Sequence, residues 1–186
     1  ILKVLNGVHV PEEGESVVGG QKLAAPTPEA ARAAGIAMNF QEMSLIPTLT
    51  VAQNIFLTRE ARDARGMIDD ADSVRRAQAI FDMLQVEVDP SALVGDLGAG
   101  QKQLTEIAKA ISQDARVLIL DEPSNHLDLE SLIWLEQFLK GYEGALMMTS
   151  HDREFMNRIV NKVVEISVVA VTLKKKNYEF YEQQRE

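Results

Sequence analysis

The sequence predicts an α/β fold, in which a mainly parallel β-sheet is flanked by helices and interrupted by an all-helical segment. The first observation is an apolar run at residues 117–120, which leads directly into Asp121-Glu122. A second apolar run at residues 145–149 is followed closely by His151. Short uninterrupted apolar runs are typical of parallel strands that are buried on both faces. The third observation is that residues from about 50 to 114 show only helical patterns, which interrupt the alternation of strands and helices.

The composition is that of an ordinary globular protein with one full core, or with a core and a small subdomain. The chain has 186 residues, of which 46% are hydrophobic and 25% are charged. The formal net charge of −9 argues against a strong general affinity for nucleic-acid phosphates, although it is compatible with a local basic patch. The sequence contains no cysteine, which excludes a disulfide framework and a thiolate site.

The sequence also bears on location. No apolar run approaches the roughly 18 residues of a membrane span, and residues 1–5 lack the layout of a signal peptide. We therefore expect a cytoplasmic protein. Because the first residue is not methionine, we expect a processed, trimmed or partial chain.

The first predicted elements are the end of a helix and a small hairpin. Residues 1–6 followed by Gly7 have the pattern of a helix that stops at a glycine. Residues 15–23, with Gly19-Gly20 at their centre, predict two short strands joined by a tight turn.

A helix and a strand are predicted next. Thr27 as N-cap and Pro28 at the first helical position predict a helix that ends at Gly35. Residues 36–40 then predict a short strand, which places Gln41 on the loop that follows it.

Three helices are predicted within the helical segment. They cover about residues 51–58, which follow the capping segment Pro47-Thr48-Leu49-Thr50, residues 72–85, and a stretch that opens at the glycine-containing turn of residues 97–101. Apolar residues recur at helical spacing along the second and third of them, at Val74, Ala77, Ile80, Phe81 and Leu84, and at Leu104, Ile107, Ala108 and Ile111. We therefore divide the chain into an α/β core of residues 1–49 and 115–186 and a helical subdomain of residues 50–114.

The α/β pattern resumes after this segment. Asp128 is the expected N-cap of a helix at 129–140. After the second buried strand, residues 153–161 predict another helix. Residues 163–166 and 168–173 are strand-like, and the polar tail at 177–186 is expected to be helical.

Polar residues fall at four predicted loops or helix starts, and these are the candidate functional residues. Asp121 and Glu122 follow a strand, where open α/β sheets place their ligands. Neighbours on a strand point to opposite sides, so one carboxylate can hold a cation while the other faces a reacting water. Gly98 and Gly100 expose the backbone at a helix N-terminus, which suits an anion.

Each of these features also has an ordinary structural explanation. Asp121 and Glu122 alone could form an acidic corner, the glycines could form a plain turn, Gln41 could be a solvated loop residue, and His151 could be a structural hydrogen-bonding residue. Together, however, they supply a phosphate-binding helix end, a magnesium ligand, a general base and a hydrogen-bond donor. Phosphoryl transfer requires these parts.

Four segments in order resemble the motifs of the ATP-binding cassette (ABC) ATPases, and the resemblance extends over nearly the whole chain. NFQEMSLIPTLTVAQNIFL resembles the Q-loop region of sugar-importer ATPases, and LGAGQKQLTEIAKAI resembles the signature motif, usually written LSGGQ. ARVLILDEPS resembles the Walker B strand and MMTSHDREF the H-loop. The resemblance implies an ABC-type P-loop NTPase core with an inserted α-helical subdomain.

The resemblance also implies roles for these residues. Asp121 would hold Mg²⁺ through water, Glu122 would polarise the attacking water, and His151 would donate a hydrogen bond to the γ-phosphate of ATP. Gln41 would contact Mg²⁺ and sense the γ-phosphate.

Other matching positions would act across an interface. Gly98, Gly100 and Gln101 would reach the nucleotide of a second copy in a head-to-tail dimer, and Asp128 would belong to the loop that crosses this interface. Transmembrane transporter subunits would be further partners, which would place the chain in the cytoplasm at the inner membrane.

The sequence departs from the family in three respects. It contains no G-x-x-x-x-G-K-[ST] phosphate-binding loop (Walker A), so we expect ATP to bind weakly or not at all. Gly98 stands where the signature normally has serine. Residues 1–123 resemble a sugar importer, whereas residues 124–186 resemble the ABC-F translation factors, which suggests a chimeric, designed or trimmed chain.

The leading functional prediction is ABC-type ATP binding and hydrolysis, which in the family drives sugar import or similar transport. One alternative is a catalytically inactive or designed scaffold that keeps the fold without the site. A second is a translation factor that acts on the ribosome; the NHLD sequence at residues 125–128 favours it, while the acidic net charge opposes it.

Overall fold

The computed structural model describes residues 2–22, 27–39, 44–166 and 171–174. The α-helices in this part of the chain are α1 (Leu2–Leu5), α2 (Pro28–Ala33), α3 (Val51–Phe56), α4 (Asp70–Met83), α5 (Ala99–Ile111), α6 (Leu129–Lys140) and α7 (Arg153–Ile159). The strands are β1 (Val17–Val18), β2 (Gln21–Lys22), β3 (Ile36–Asn39), β4 (Val117–Asp121), β5 (Ala145–Thr149), β6 (Val163–Ile166) and β7 (Val171–Lys174). None of the described helices is both long and apolar enough to cross a membrane.

The central element is a parallel sheet of three strands in the order β3-β4-β5. In its register Ile36 lies opposite Val117, and Val117 lies opposite Ala145. The carboxyl ends of the three strands therefore meet at one edge of the sheet. The predicted α/β fold with a mainly parallel sheet is confirmed, and the polar residues at the ends of β4 and β5 lie at that edge.

The middle strand is buried as predicted. The second strand, β5, forms at the predicted residues 145–149, but the prediction that it is buried was wrong. Leu118, Ile119 and Leu120 of β4 are all at most 1% exposed. In β5 none of the five residues is fully buried, and Ala145 is exposed. The physical reason is position: β5 pairs with β4 on one side and forms the edge of this sheet within the described residues.

Helix boundaries follow the predicted capping residues. Thr27 Oγ1 accepts a hydrogen bond from Ala30 N at 3.2 Å and thus caps α2, which has Pro28 at its first position. Gly35, where the helix was predicted to stop, has a φ of +85°. At α3, Thr50 Oγ1 accepts from Gln53 N while the Gln53 side chain accepts from Thr50 N, which is a capping box. Local sequence therefore fixes where these helices begin.

The helical segment packs its apolar face against the sheet. The predicted stripe of α4 faces inward, since Ala77, Phe81 and Leu84 are fully buried. The same hydrophobic cluster includes Ile107 of α5 together with Leu118 of β4. The helices between residues 50 and 114 thus share one core with the strands, and α5 contacts β3 directly.

Two antiparallel hairpins complete the described chain. The β1–β2 hairpin turns at Gly19-Gly20 as predicted. The strand-like segments after α7 form a second hairpin of β6 and β7. Its pairs Val164–Leu173 and Ile166–Val171 place four exposed apolar residues on one face. The predicted helical tail at 177–186 lies outside the described residues.

Two asparagines are almost fully buried but differ in their hydrogen bonding. Asn54 on α3 accepts from Ile46 N at 2.7 Å and donates to the carbonyl oxygens of Ile46 and Thr50 at 3.1 and 2.9 Å. Asn39 at the end of β3 is 1% exposed, and among the described residues neither its amide nitrogen nor its amide oxygen has a hydrogen-bond partner. A buried polar group without a partner costs stability, whereas a satisfied one holds its surroundings together.

This contrast predicts opposite effects of the same substitution at the two sites. Asn39→Leu is expected to raise the free energy of unfolding by about 1–3 kcal/mol, because an unpaired amide is replaced by an apolar group of similar shape. Asn54→Leu is expected to lower it by roughly 2–4 kcal/mol, because several backbone partners lose their hydrogen bonds. Urea unfolding followed by circular dichroism measures both. Destabilisation by Asn39→Leu would contradict the assignment of an unpaired amide.

Candidate functional site

The site begins where β4 and β5 end side by side. The parallel register places Asp121, the last residue of β4, opposite Thr149, the last residue of β5. The Thr149 hydroxyl donates a hydrogen bond to Asp121 Oδ1. Asp121 is half-buried, so its carboxylate is held in one orientation and remains accessible at the edge of the sheet.

Glu122 leaves the strand with an unusual backbone conformation. Its φ is +50°, a left-handed value that residues other than glycine rarely adopt. Its backbone N–H donates to Thr149 O at 3.1 Å and lies 3.3 Å from Thr149 Oγ1, while its carbonyl oxygen accepts from Asn125 N at 3.2 Å. These bonds hold the turn and direct a side chain that is only 7% exposed. Glu122 therefore presents a buried carboxylate at the strand edge.

His151 contacts this carboxylate with both its backbone and its ring. The His151 N–H donates to Glu122 Oε2 at 3.1 Å. The ring atom Nε2 lies 3.3 Å from Glu122 Oε1, and the His151 side chain is 99% exposed. The pair thus joins a carboxylate inside the fold to an imidazole on the surface. Such a carboxylate can accept a proton from a bound water, and the imidazole can donate a hydrogen bond to an anion.

The glycine-containing turn lies at the start of α5 and is exposed at Gly98 and Gln101. Gly98 is the N-cap, and its N–H donates to Gln101 Oε1 at 3.3 Å. A Cβ atom added at Gly100 would lie 3.1 Å from the carbonyl oxygen of His126. Because the backbones approach this closely, the turn packs against the loop that follows β4.

The loop after Glu122 connects the two groups of predicted residues. Its Pro123 carbonyl oxygen lies 3.4 Å from Nε2 of the buried Gln103 on α5. Ser124 and Ser150 share a hydrogen bond of 3.2 Å, which ties the loop to the end of β5. The loop therefore contacts both the signature helix and the acidic strand end.

Asp128 ends this loop as the N-cap of α6. Its Oδ1 accepts from Ser131 N at 2.8 Å, as predicted for a capping residue. Hydrogen bonds from the Ser131 backbone and side chain lower the pKa of the Asp128 carboxyl. The ionised form is thus favoured, and it complements the positive end of the helix dipole.

The structure groups the predicted residues in two places. Asp121, Glu122 and His151 come together at the ends of β4 and β5. The turn from Gly98 to Gln101 lies at the other side of the connecting loop. Gln41 lies outside the described residues. Thr149 was not predicted as a site residue. The only feature of the sequence that could have indicated it is its position at the end of the apolar run of residues 145–149.

The donor set at the strand ends is compatible with a magnesium ion. In the described part of the chain no three His, Cys, Asp or Glu residues are arranged to hold a metal. Mg²⁺ nevertheless commonly takes only one or two carboxylates, with water and phosphate oxygens as its other ligands. The accessible carboxylate of Asp121, fixed by Thr149, meets that requirement.

Comparison with known proteins gives one consistent result. Residues 1–125 match the family model described as "ABC transporter". The chain is 40% identical over 166 residues to the ribose import ATP-binding protein RbsA of Rhodococcus jostii, covering 88% of this chain and 33% of that protein. The RbsA of Corynebacterium glutamicum is 38% identical over 166 residues, with 88% and 32% covered. The chain thus spans about a third of the length of these relatives.

The importer similarity extends further along the chain than the sequence pattern suggested. An alignment of 166 residues is longer than the importer-like region of residues 1–123, so it includes part of the region that resembles the ABC-F proteins.

Solved structures show the same fold. One is a dimeric ATP-binding cassette in a post-hydrolysis state, bound to ADP and Pi. It superposes with a TM-score of 0.74 at 21% identity, and the alignment covers 94% of this chain and 78% of the cassette chain. A nucleotide-free ATP-binding cassette from an ABC transporter gives a TM-score of 0.78 at 15% identity, with 100% and 78% covered.

The cap of α6 yields a test by pH. Asp128→Ala is expected to lower the melting temperature at pH 7, because α6 loses its capping acceptor. Since the folded pKa of Asp128 is depressed, its stabilisation is present above the ordinary pKa of aspartate and is lost as the pH falls through the folded value. The difference in melting temperature between wild type and Asp128→Ala should therefore shrink on acidification. Asp128→Asn, which keeps a neutral acceptor, is the control, and its melting-temperature difference from Asp128→Ala should not depend on pH. If that difference shrinks on acidification as much as it does for wild type, the assignment to the Asp128 carboxylate is contradicted.

Proposed function

The chain belongs to the ABC transporter family, and from this premise we propose that it supplies the metal-holding and water-activating side of an ATP-hydrolysing site. The family uses ATP together with Mg²⁺. The relatives named above are ribose import ATP-binding proteins, and we propose sugar import as the process that this chain serves.

The observation that carries the proposal is the contact between Glu122 and His151 beside Asp121. A buried carboxylate lies 3.3 Å from an exposed imidazole, and the neighbouring carboxylate is oriented by Thr149. Hydrolysis of a phosphoanhydride needs a proton acceptor for water, a donor for the phosphate and a holder for the cation. These three functions are proposed for Glu122, His151 and Asp121 respectively.

Each residue has a defined chemical task in this proposal. Asp121 holds Mg²⁺ through its accessible carboxylate oxygens, and a bound Mg²⁺ supplies neutralisation of the phosphate charge. Glu122 accepts a proton from the attacking water or orients that water, since its carboxylate is shielded from bulk solvent. His151 donates a hydrogen bond from its ring to a γ-phosphate oxygen, and Gln41 is proposed to contact Mg²⁺.

The second group of residues is proposed to act on a nucleotide held by another copy. Gly98, Gly100 and Gln101 are proposed to offer backbone N–H groups at the exposed start of α5, where the Gly98 N–H would exchange its hydrogen bond to Gln101 Oε1 for one to the nucleotide. Asp128 lies on the loop that packs beside them. One of the similar solved structures is dimeric. This supports a head-to-tail dimer in which each copy completes the site of the other.

We further propose that the chain works at the cytoplasmic face of the inner membrane with transmembrane transporter subunits. The importer names of its relatives support this assignment, and the part of the chain described here contains no spanning helix of its own.

Titration calorimetry with Mg-ATP tests nucleotide binding. Because the sequence contains no G-x-x-x-x-G-K-[ST] motif, we expect saturable binding that is weaker than micromolar, with a Kd of about 0.1–1 mM. Micromolar binding would exclude the alternative of an inactive scaffold. The complete absence of saturable binding would contradict the proposal for this chain and would support the scaffold.

Phosphate release tests the role of Glu122. Glu122→Gln is expected to reduce turnover by about 100-fold or more while Mg-ATP binding persists, because the amide cannot accept the proton of water. Glu130→Gln removes an exposed carboxylate on α6 and serves as the control for charge alone. Unchanged hydrolysis in Glu122→Gln would refute its role as a base.

A further inference from the structure

A cavity of about 220 Å³ lies between α2, β3, α3 and α5, on residues that the proposed ATPase chemistry does not use. Its walls combine apolar side chains such as Ile36 and Met38 with charged ones. The charged residues of its lining, among the described residues, are Arg32, Arg59, Lys109 and Glu106. Three cations against one carboxylate thus leave an excess of two positive charges on the described walls of a small cavity that opens to solvent.

Arg59 is anchored in this wall by neutral acceptors. Its Nη2 donates to Ile55 O and to Ser112 Oγ, both at 2.8 Å, and its Nη1 donates to Ser112 O at 3.1 Å. A guanidinium has five N–H donors, so its Nε–H and one Nη1–H have no partner among the described residues. The guanidinium is therefore rigidly placed and still has two free donors.

The charge of Arg59 is not neutralised by its surroundings. No ion pair joins it to a carboxylate within the residues that the structure describes. Burial lowers the pKa of Arg59, and the nearby positive charges of Arg76 and Arg32 lower it further. An anion in the cavity would relieve this unfavourable field. Arg32 has a partner, Glu29 at 3.6 Å, but this pair is exposed and weak.

Lys109 is connected through a serine to Glu106, an acidic residue of the cavity wall. Its Nζ donates to Ser44 Oγ at 3.2 Å, and Ser44 donates to Glu106 Oε1 from its backbone N–H at 2.5 Å and from its hydroxyl at 3.1 Å. Glu106 is only 4% exposed, so its charge is satisfied within the fold. The ammonium of Lys109 retains N–H donors that can turn toward the cavity.

We propose that this cavity binds a small dianion with a phosphate group, either inorganic phosphate or a small phosphomonoester. A dianion matches the excess of two positive charges. A guanidinium with a free Nε–H donor beside a lysine ammonium suits the tetrahedral oxygens of phosphate, since each of the two cations can donate to a different oxygen. Both ligands share this chemistry. The site is separate from Asp121, Glu122 and His151.

The test is calorimetric titration at constant ionic strength and pH 7.5 with three probes: inorganic phosphate, glycerol phosphate and succinate. Saturable binding of phosphate or glycerol phosphate, with weaker binding of succinate, is expected. The phosphate probe that binds more tightly shows whether the cavity prefers inorganic phosphate or a phosphomonoester. Equal binding of succinate would overturn the phosphate assignment, since charge alone would then explain affinity. No saturable binding of either phosphate probe would overturn the site.

Variants locate the binding to this cavity. Arg32→Gln and Lys109→Gln are each expected to weaken binding about tenfold, because each removes one cation. Arg75→Gln, which removes an exposed arginine of α4 that pairs with Asp72, is the matched control and should bind as wild type. If all three variants bind phosphate with the wild-type affinity, the binding is that of an adventitious ion only and the site is refuted.

The role of Arg59 is tested without mutation, because its three hydrogen bonds within the fold mean that a variant could fail to fold. In the wild-type chain, the side-chain ¹H–¹⁵N resonance of Arg59 Nε should shift in proportion to the bound fraction of phosphate, because that N–H gains an acceptor. An unchanged resonance at saturation would place the anion elsewhere and refute the assignment. Both measurements are made without ATP, so their outcome is independent of the proposed ATPase function.

Discussion

The register between β4 and β5 is the constraint on which the site depends. It sets Asp121 opposite Thr149, so that one hydroxyl bonds the Asp121 carboxylate and one carbonyl oxygen accepts from Glu122 N. A slip by one residue would turn each side chain of β5 to the opposite face. The packing of β5 opposes such a slip, because Leu146 and Met148 would leave one hydrophobic cluster and Met147 the other.

Helix α5 connects the end of β4 to the hydrophobic core, because it packs in that core and contacts the loop after β4. Its inner face contributes Leu104 and Ile107 to the main core, which fixes the helix axis beside the sheet. On the same helix, Gln103 bonds the Pro123 carbonyl oxygen and Gly100 allows the His126 carbonyl oxygen to approach closely. Hydrophobic packing therefore sets the position, and the polar contacts at one end set how the loop after β4 lies on the helix. An alanine at Gly100 would push against backbone rather than against a side chain that can move.

Features that depend on local sequence could be predicted, whereas features that depend on partners distant in the sequence could not. Caps at Thr27, Thr50 and Asp128 act within three residues, and the structure has each of them. The apolar content of β5 indicated a buried strand, but exposure depends on which neighbours pair with it, and the sequence alone does not contain that information. The difference between Asn39 and Asn54 could not be predicted either, although the partners of Asn54 are only four to eight residues away. The sequence does not show that the loop before α3 turns its backbone groups toward Asn54, or that the Asn39 amide meets no partner among the described residues.

The turn at Glu122 shows why the candidate site was only partly predictable. The alternation of side chains along a strand puts neighbouring carboxylates on opposite sides, but Glu122 has left the strand with a φ of +50°. Its position is instead determined by hydrogen bonds to Thr149, Asn125 and His151. A left-handed conformation at a residue other than glycine has an energetic cost that surrounding contacts must offset. The same contacts direct the carboxylate toward His151. The strain of the turn and the geometry of the pair therefore have one origin, and weakening the bonds that hold the turn would disturb both.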